Sequence, residues 1–355
     1  MKIGLLGLPN SGKTTIFNAL TNSNAEVTAY SSVKAEPNVA VVAVGDDRVD
    51  HLTDLYQPKK VTYATIELVD FVGFSEGSAR EGAFSSQQMG LIKPLDALAV
   101  VVRNFYDDLA GEPMSLRDIE TIETELILAD LIVAETRLER IEWSYRRGKK
   151  TADLEAEEKI LRKIQDQLNE NRPIRGITFT DGEEKIIAGF QFASKKPLLI
   201  IINSDESRFG QNGELLETLG QSYRVIEFAG TFEMELSRLD DEEAALFMED
   251  MGIEESARNR LTRFAYETLG YISFLTVGTD EVRAWTILRG DTAVEAAGSI
   301  HSDLARGFIR AECFSYADLI ECGSEKGVRD QGRFRLEGKD YVVRDGDILS
   351  IRFSV

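Results

Sequence analysis

A phosphate-binding motif near the amino terminus constrains the fold of this chain more than any other feature. Gly7-Leu8-Pro9-Asn10-Ser11-Gly12-Lys13-Thr14 matches the pattern Gly-x-x-x-x-Gly-Lys-Ser/Thr. The motif is meaningful only between a strand and a helix, and the apolar run 2–6 and the segment 12–20 supply that setting. The sequence therefore predicts a P-loop after a first β-strand.

Each residue type in this motif has a role in holding a nucleoside triphosphate. Successive backbone N–H groups would face the phosphates, and the helix N-terminus adds a partial positive charge there. Lys13 would bridge β- and γ-phosphate oxygens, and the Thr14 hydroxyl would ligate Mg²⁺. The predicted phosphate-binding residues are Asn10, Ser11, Gly12, Lys13, Thr14 and Thr15.

A second motif ends the predicted strand 62–69. In Asp70-Phe71-Val72-Gly73, Asp70 could hold Mg²⁺ through water, and Gly73 could offer its N–H to the γ-phosphate. Asp-x-x-Gly alone is a weak signal, but after a P-loop it indicates a switch-type, GTPase-like domain. We predict Thr14 and Asp70 as metal ligands, and Lys13 and Gly73 as catalytic groups.

A third motif follows the apolar run 198–202. Asn203-Ser204-Asp205-Glu206 stands where GTPases place Asn-Lys-x-Asp, whose Asp accepts hydrogen bonds from guanine. Here the last side chain is one methylene longer and Ser204 replaces the Lys, so the guanine-reading carboxylate would be misplaced. Adenine has no N1–H and no 2-amino group, and does not need it. We predict Asn203 and Glu206 as base-site residues.

The periodicity of the remaining chain predicts its domains. Apolar runs at 97–102 and 198–202, with candidate strands at 38–44 and 223–228, predict a doubly wound α/β sheet. Two charged amphipathic helices predict an antiparallel helical hairpin inserted in that sheet domain. Short strands at 272–277, 282–287, 308–313, 341–343 and 348–353 predict an α+β module. The domains would be 1–114 with 196–270, 115–195, and 271–355.

Charge and composition limit the partners. The chain carries 61 acidic and 41 basic residues, a net charge of −20, and so repels bulk nucleic acid and acidic membranes. No apolar run approaches the roughly 20 residues that cross a bilayer, and no signal-peptide pattern is visible. Two cysteines give neither a disulfide framework nor zinc spacing. We expect a cytoplasmic protein without membrane contact.

Together these motifs resemble the YchF family, the Obg-like ATPases, over nearly the whole chain. The resemblance rests on the three motifs above, on Glu36-Pro37-Asn38-Val39, and on segments 118–131, 281–286, 306–312 and 336–341. It implies a P-loop GTPase-like fold with an inserted helical hairpin and a C-terminal β-grasp (TGS) domain. It also implies slow Mg²⁺-dependent hydrolysis of ATP in preference to GTP, and a role on or near the ribosome.

The chain departs from the family pattern at positions near the γ-phosphate. Lys34 replaces a Thr that would sense Mg²⁺ and γ-phosphate, and Val33 replaces a cysteine. Phe74 stands where Ras-like enzymes carry a water-orienting Gln, and the family's loop histidine aligns with Leu91. We therefore expect very slow hydrolysis. A regulator with negligible turnover and a GTP-specific GTPase are the alternatives.

The resemblance also sets expectations for ions and partners. Asn10 resembles the residue that lets some relatives use potassium as a charge-stabilising ion. The expected cofactors are Mg²⁺, ATP or GTP, and potassium. The expected partner of this monomer is the ribosome, with RNA contacts through the TGS domain or through the basic tip of the hairpin. The basic tip consists of Arg146, Arg147, Lys149 and Lys150.

Overall fold

The computed structural model describes residues 1–21, 37–71, 90–108, 110–250 and 252–354. The chain forms two compact units, Met1–Val41 with Glu67–Ala257, and Val42–Ile66 with Arg258–Val355. The described ranges form two six-stranded sheets, one mainly in the first unit and the other mainly in the second.

The sheet of the first unit has its switch point at the first strand. Its strands are β1 (Lys2–Leu6), β2 (Asn38–Ala43), β4 (Thr65–Asp70), β5 (Ala97–Asn104), β6 (Leu198–Ser204) and β7 (Arg224–Phe228), while β3 (Lys60–Thr62) lies in the other sheet. The order in space is β2-β4-β1-β5-β6-β7, and β4, β1, β5, β6 and β7 run parallel. Because the order reverses at β1, a ligand crevice is expected at the carboxyl ends of β1 and β5.

Helices complete this unit and confirm the predicted doubly wound sheet. They are α1 (Lys13–Thr21), α3 (Ser115–Arg146), α4 (Ala152–Asn169), α5 (Asp181–Ile187), α6 (Gly213–Gly220), α7 (Gly230–Leu236) and α8 (Asp241–Asp250), while α2 (Asp47–Tyr56) lies in the second unit. Every residue of β5 and β6 is buried. Ile119, Ile122 and Leu126 of α3 pack on Leu98 and Val100 of β5, which explains the uninterrupted apolar runs.

The predicted helical hairpin is formed by α3 and α4. Arg137 Nε lies 2.7 Å from Glu157 Oε1, and Gln165 donates to Glu135 at 3.3 Å, so the two helices are antiparallel. The Thr151 hydroxyl accepts from Leu154 N and starts α4. At 1.5 Å per residue, the 32 residues of α3 span about 48 Å.

Buried polar contacts fix the root of the hairpin. The Asp130 carboxylate, fully buried in α3, accepts from the N–H groups of Ala193 and Ser194 and from the Ser194 hydroxyl, at 2.6–2.9 Å. Burial raises the pKa of Asp130 to about 6, against the opposing effect of these hydrogen bonds. Glu123 binds Arg175 and accepts from Tyr223. The hairpin is therefore held to the sheet by several separate contacts.

The second unit contains the C-terminal sheet. Its further strands are β8 (Tyr271–Thr276), β9 (Glu281–Leu288), β10 (Phe308–Ser315), β11 (Arg335–Glu337) and β12 (Asp347–Phe353), in the order β11-β10-β12-β8-β9-β3. Its further helices are α9 (Ala257–Leu269), α10 (Ala293–Ile300), α11 (Ser302–Arg306), α12 (Tyr316–Cys322) and α13 (Glu325–Asp330). The predicted hairpin around Gly278 is confirmed, with Thr276 opposite Arg283.

Two predicted strands are wrong. Residues 62–69 are not one strand, because β3 ends at Thr62 and pairs with β9, whereas β4 starts at Thr65 and joins the first sheet. Alternation continues through both strands, so the pattern does not show the change of sheet. Residues 341–343 form only an isolated bridge between Val342 and Thr292.

The compact units also differ from the predicted domain boundaries. Residues 42–66 and 258–270 group with the C-terminal sheet, because β3 pairs with β9, Arg48 bonds Asp345 at 2.8 Å, and Tyr266 bonds Thr286. The hairpin belongs to the first unit. None of the helices in the described ranges is long and apolar enough to span a membrane.

Candidate functional site

The P-loop has the backbone conformation that its motif predicts. Asn10 and Gly12 adopt left-handed conformations, with φ of 62° and 79°. The Ser11 N–H donates to Leu8 O at 3.1 Å, and α1 starts at Lys13. A Cβ on Gly12 would lie 2.1 Å from Asn203 Nδ2, so glycine is required there by both backbone and space. The loop thus makes the turn that leads into α1, whose N-terminus is a suitable place for an anion.

Ser11 places an unsatisfied polar atom inside this loop. Its residue is 3% exposed, and its Oγ has no hydrogen-bond partner in the described part of the chain. A Cβ on Gly7 would approach that Oγ to 2.5 Å, so Gly7 leaves room for it. A buried hydroxyl without a partner is costly, and an oxygen-rich ligand would relieve that cost.

The predicted metal ligand Thr14 and the predicted catalytic Lys13 both lie against the carboxylate of Asp70, the second predicted metal ligand. Asp70, 3% exposed, forms an ion pair with Lys13. Thr14 Oγ1 lies 3.5 Å from Asp70 Oδ2, and Asn38 Nδ2 lies 3.4 Å from the same oxygen. The pairing of Leu5 with Asp70 between β1 and β4 brings these distant sequence positions together.

The oxygen donors fit a magnesium nucleotide. Mg²⁺ is commonly bound by one or two carboxylates plus substrate phosphates and water, and Thr14 and Asp70 supply one hydroxyl and one carboxylate. Among the described residues, no group of three or more His, Cys, Asp or Glu could hold a metal alone. Thr14 and Asp70 could hold the cation together with phosphate oxygens and water, and Lys13 would exchange Asp70 for the phosphates.

Asn203 connects the P-loop to α7. It is 3% exposed and is the penultimate residue of β6, inside the strand and not after it as predicted. Its Nδ2 donates to Ser11 O at 3.0 Å, and its Oδ1 accepts from Gly230 N at 3.1 Å. The structure thus brings Asn203 to the phosphate loop. It also shows that Gly230, which the sequence analysis missed, bonds Asn203 beside that loop.

The last base-site candidate lies in an exposed loop. Glu206 is exposed in the segment 205–212, which follows β6. Ser204, by contrast, is 2% exposed and donates to Glu227 Oε1 at 2.5 Å. Arg208 in this segment forms an ion pair with Glu112 at 2.8 Å, which raises the pKa of Arg208. No sequence motif indicated that Glu227 and Glu112 would contact this segment.

A second loop at the carboxyl edge is organised by one arginine. Arg103 is 7% exposed and donates to the carbonyls of Phe105, Gly111 and Glu112, at 2.6–3.1 Å. An added Cβ on Gly12 would lie 3.8 Å from the Phe105 ring, so this loop adjoins the P-loop. An arginine in an apolar strand was the one available signal for this loop.

Several predicted positions are not brought to the site. Leu91 packs against the apolar core of the sheet. The predicted catalytic Gly73, together with Lys34 and Phe74, lies outside the described residues. Asn10 in the loop, and Thr14 and Thr15 at the start of α1, are half-buried and remain available to a ligand.

The sheet order and the P-loop with Lys13, Thr14 and Asp70 together define a P-loop nucleotide-binding protein of the GTPase-like class. A family model for 50S ribosome-binding GTPases (MMR_HSR1) matches residues 2–136. A second model, YchF-GTPase_C (DUF933, protein of unknown function), matches residues 271–354.

Full-length relatives then identify the family. The ribosome-binding ATPase YchF of Bacillus subtilis is 38% identical over 363 residues, which cover 99% of each chain. That of Haemophilus ducreyi is 39% identical, over 100% of this chain and 99% of the relative. The Schizosaccharomyces pombe YchF GTPase structure superposes with a TM-score of 0.81 at 29% identity, covering 99% of this chain and 97% of that one. The chain belongs to the YchF family.

Proposed function

We propose that this chain is a Mg²⁺-dependent nucleotide switch that hydrolyses ATP slowly, prefers ATP to GTP, and acts on the ribosome. The observation that carries the proposal is the convergence of Lys13 and Thr14 on the buried Asp70 beneath a P-loop. An ion pair of Lys13 and Asp70 keeps both charges in place until phosphate and Mg²⁺ separate them.

The residues of the chain supply positioning and charge for phosphoryl transfer. Lys13 would bind β- and γ-phosphate oxygens and stabilise the charge that develops on them. Thr14 and Asp70 would hold Mg²⁺, which neutralises phosphate charge when bound. Asn203 holds the carbonyl of Ser11, and so keeps the N–H groups of the P-loop directed at the phosphates. Potassium beside Asn10 would add a second cation.

Slow turnover is expected because hydrolysis needs an oriented water. Leu91, which aligns with the family's loop histidine, is apolar, packs against the core of the sheet and cannot bind one. We expect single-turnover hydrolysis far below the ~1 s⁻¹ lower end of ordinary enzymes, measured with Mg²⁺ and potassium. Phosphate release equal to background would favour the regulator without turnover. Turnover near 1 s⁻¹ without a partner would mean that a catalytic group has been missed.

Base preference rests on the motif at the end of β6. The missing lysine and the longer Glu206 remove the fork that reads guanine, and a misplaced carboxylate forfeits that discrimination. Competition between ATP and GTP for a labelled analogue tests this. A tenfold preference for GTP would favour the GTP-specific alternative.

The ribosome is proposed as partner because the full-length relatives are named ribosome-binding ATPases. Contact through RNA would use the basic tip of the hairpin or the TGS domain. Co-sedimentation with ribosomes, with ATP analogue, with ADP and without nucleotide, tests the proposal. Nucleotide-dependent association is the expected result, and its absence in all three states would refute the ribosomal role.

A further inference from the structure

A buried polar cluster lies at the carboxyl ends of β5, β6 and β7, apart from the phosphate contacts. The Ser204 hydroxyl donates to Glu227 Oε1 at 2.5 Å and accepts from Asn104 Nδ2 at 2.9 Å. Ser204, Asn104 and Glu227 are 2%, 5% and 9% exposed. A carboxylate this deep is retained only where its hydrogen bonds offset the cost of burial.

The same carboxylate also binds the far end of the loop 205–212. Asn212 Nδ2 donates to Glu227 Oε1 at 2.5 Å, and the Gly210 N–H donates to Oε2 at 3.2 Å. Asn212 Nδ2 is also 2.7 Å from Arg208 O. Glu227 therefore joins the residue before the loop, Ser204, to residues at its end, and closes the neck of the loop.

The rest of the loop is a compact turn with hydrogen bonds of its own, and the neck joins this turn to the ends of β6 and β7. Asp205 O accepts from the N–H groups of Arg208 and Phe209, at 3.1 and 2.9 Å. Outside the neck, Arg208 bonds Glu112 at 2.8 Å. Glu206 is exposed within this turn, so its place is set by the turn and not by contacts of its own.

We propose that Glu227 is a positioning residue for nucleotide base recognition, acting by closing the neck of the base-site loop 205–212. The inference rests on the proposed function, which assigns the base to this loop. At the neck, Ser204, Asn212 and the Gly210 N–H all donate to Glu227, so both of its carboxylate oxygens accept there. A glutamine would present an amide N–H₂ to one of those donors, which leaves the neck open.

The test compares three ligands with Mg²⁺ by calorimetry: an ATP analogue, a GTP analogue and tripolyphosphate. Glu227→Gln should weaken the preferred nucleotide about tenfold relative to tripolyphosphate, the effect of one lost charge-assisted hydrogen bond. Tripolyphosphate affinity should stay unchanged, because Asn203 and not Glu227 holds the P-loop. Glu217→Gln, an exposed carboxylate on α6, is the matched control and should change none of the three.

Two outcomes would overturn the inference. Equal loss of all three ligands would mean a general structural role, and unchanged nucleotide affinity would mean that the neck does not position the base. If Glu227→Gln fails to fold, Asn212→Ala removes the amide that bonds Glu227, Ser204 and the Arg208 carbonyl, and the same relative weakening is required of it. The wild type could also bind tripolyphosphate as tightly as it binds the ATP and GTP analogues. That result would refute the base site itself, and with it the proposed function.

Discussion

Lys13, Thr14 and Asp70 show how motif spacing can predict which residues come together. Their predicted roles follow from a loop whose conformation is fixed by Gly7 and Gly12, and from a strand end that the chain reaches some 57 positions after Lys13. The structure places all three in one cluster because β1 and β4 are adjacent and parallel. Spacing is informative here because the motif encodes backbone geometry.

Other site residues could not be predicted, since their roles depend on strand register. Glu227 reaches Ser204 because β6 and β7 pair with Ile202 opposite Glu227. Asn104 likewise reaches Ser204 only because β5 ends beside β6. An isolated Glu or Asn at the end of an apolar run carries no such information.

Base preference can be tested with one exposed residue. Glu206→Asp should raise affinity for GTP relative to ATP by a few fold, because it shortens the carboxylate toward the guanine-reading position. Ser204→Lys should not be combined with it, since Ser204 is 2% exposed and a lysine would break the contacts of Asn104 and Glu227. Competition against a labelled ATP analogue measures the shift. An unchanged ratio would exclude Glu206 from the base site.

Among the elements, the long ones were predicted best. The two long hairpin helices were both predicted, because their apolar residues recur at helical spacing over many turns. The strand predictions for 62–69 and 341–343 were wrong because so few residues carry little periodic signal. Which sheet such a short segment joins depends on partners that are distant in sequence.

The root of the hairpin predicts a pH-dependent stability. The pKa of Asp130 in the folded protein, about 6, exceeds the ordinary aspartate value of 3.8, so the contribution of Asp130 to stability is fully present below about pH 4 and is lost as pH rises through 6. The free energy of unfolding of the wild type relative to Asp130→Asn should therefore fall by up to ~3 kcal/mol over this range, at about 1.4 kcal/mol per pH unit. Urea unfolding at several pH values measures it. A difference that is flat between pH 4 and 7 would contradict the assignment.

We expect the basic tip of the hairpin to make a salt-dependent contact with ribosomal RNA. Lys150 is paired with Glu155 at 3.0 Å, and Arg146 with Glu142 at 4.0 Å. Arg147 instead stacks on the exposed Trp143, with its guanidinium carbon 3.4 Å from the ring centroid, and Lys149 is exposed. The latter two are therefore the charges most available to phosphate.

Reversing Arg147 and Lys149 to Glu should weaken ribosome association and flatten its salt dependence, because fewer counterions are released. Lys159→Glu with Lys185→Glu makes the same charge change at exposed positions elsewhere in the unit and should have little effect. Co-sedimentation across a salt series is the measurement. Equal effects of both pairs would mean that net charge, and not the tip, controls binding.

For the whole molecule, the net charge of −20 means that any RNA contact must be local. The division into units was less predictable. Residues 42–66 lie between the strands that carry Asn38 and Asp70, yet they belong to the C-terminal unit. Their ion pair between Arg48 and Asp345 joins positions far apart in sequence, and no local pattern reveals such a pairing.

The central claim is that the P-loop binds a magnesium nucleotide through Lys13. The most direct test is calorimetric titration of Lys13→Ala and wild type with an ATP analogue and Mg²⁺, with circular dichroism to establish that both are folded. The wild type should bind, and the variant should lose about 1.5–3 kcal/mol of binding free energy or bind too weakly to measure, because it loses charge-assisted contacts to the β- and γ-phosphates. A folded Lys13→Ala variant with wild-type affinity would contradict the account.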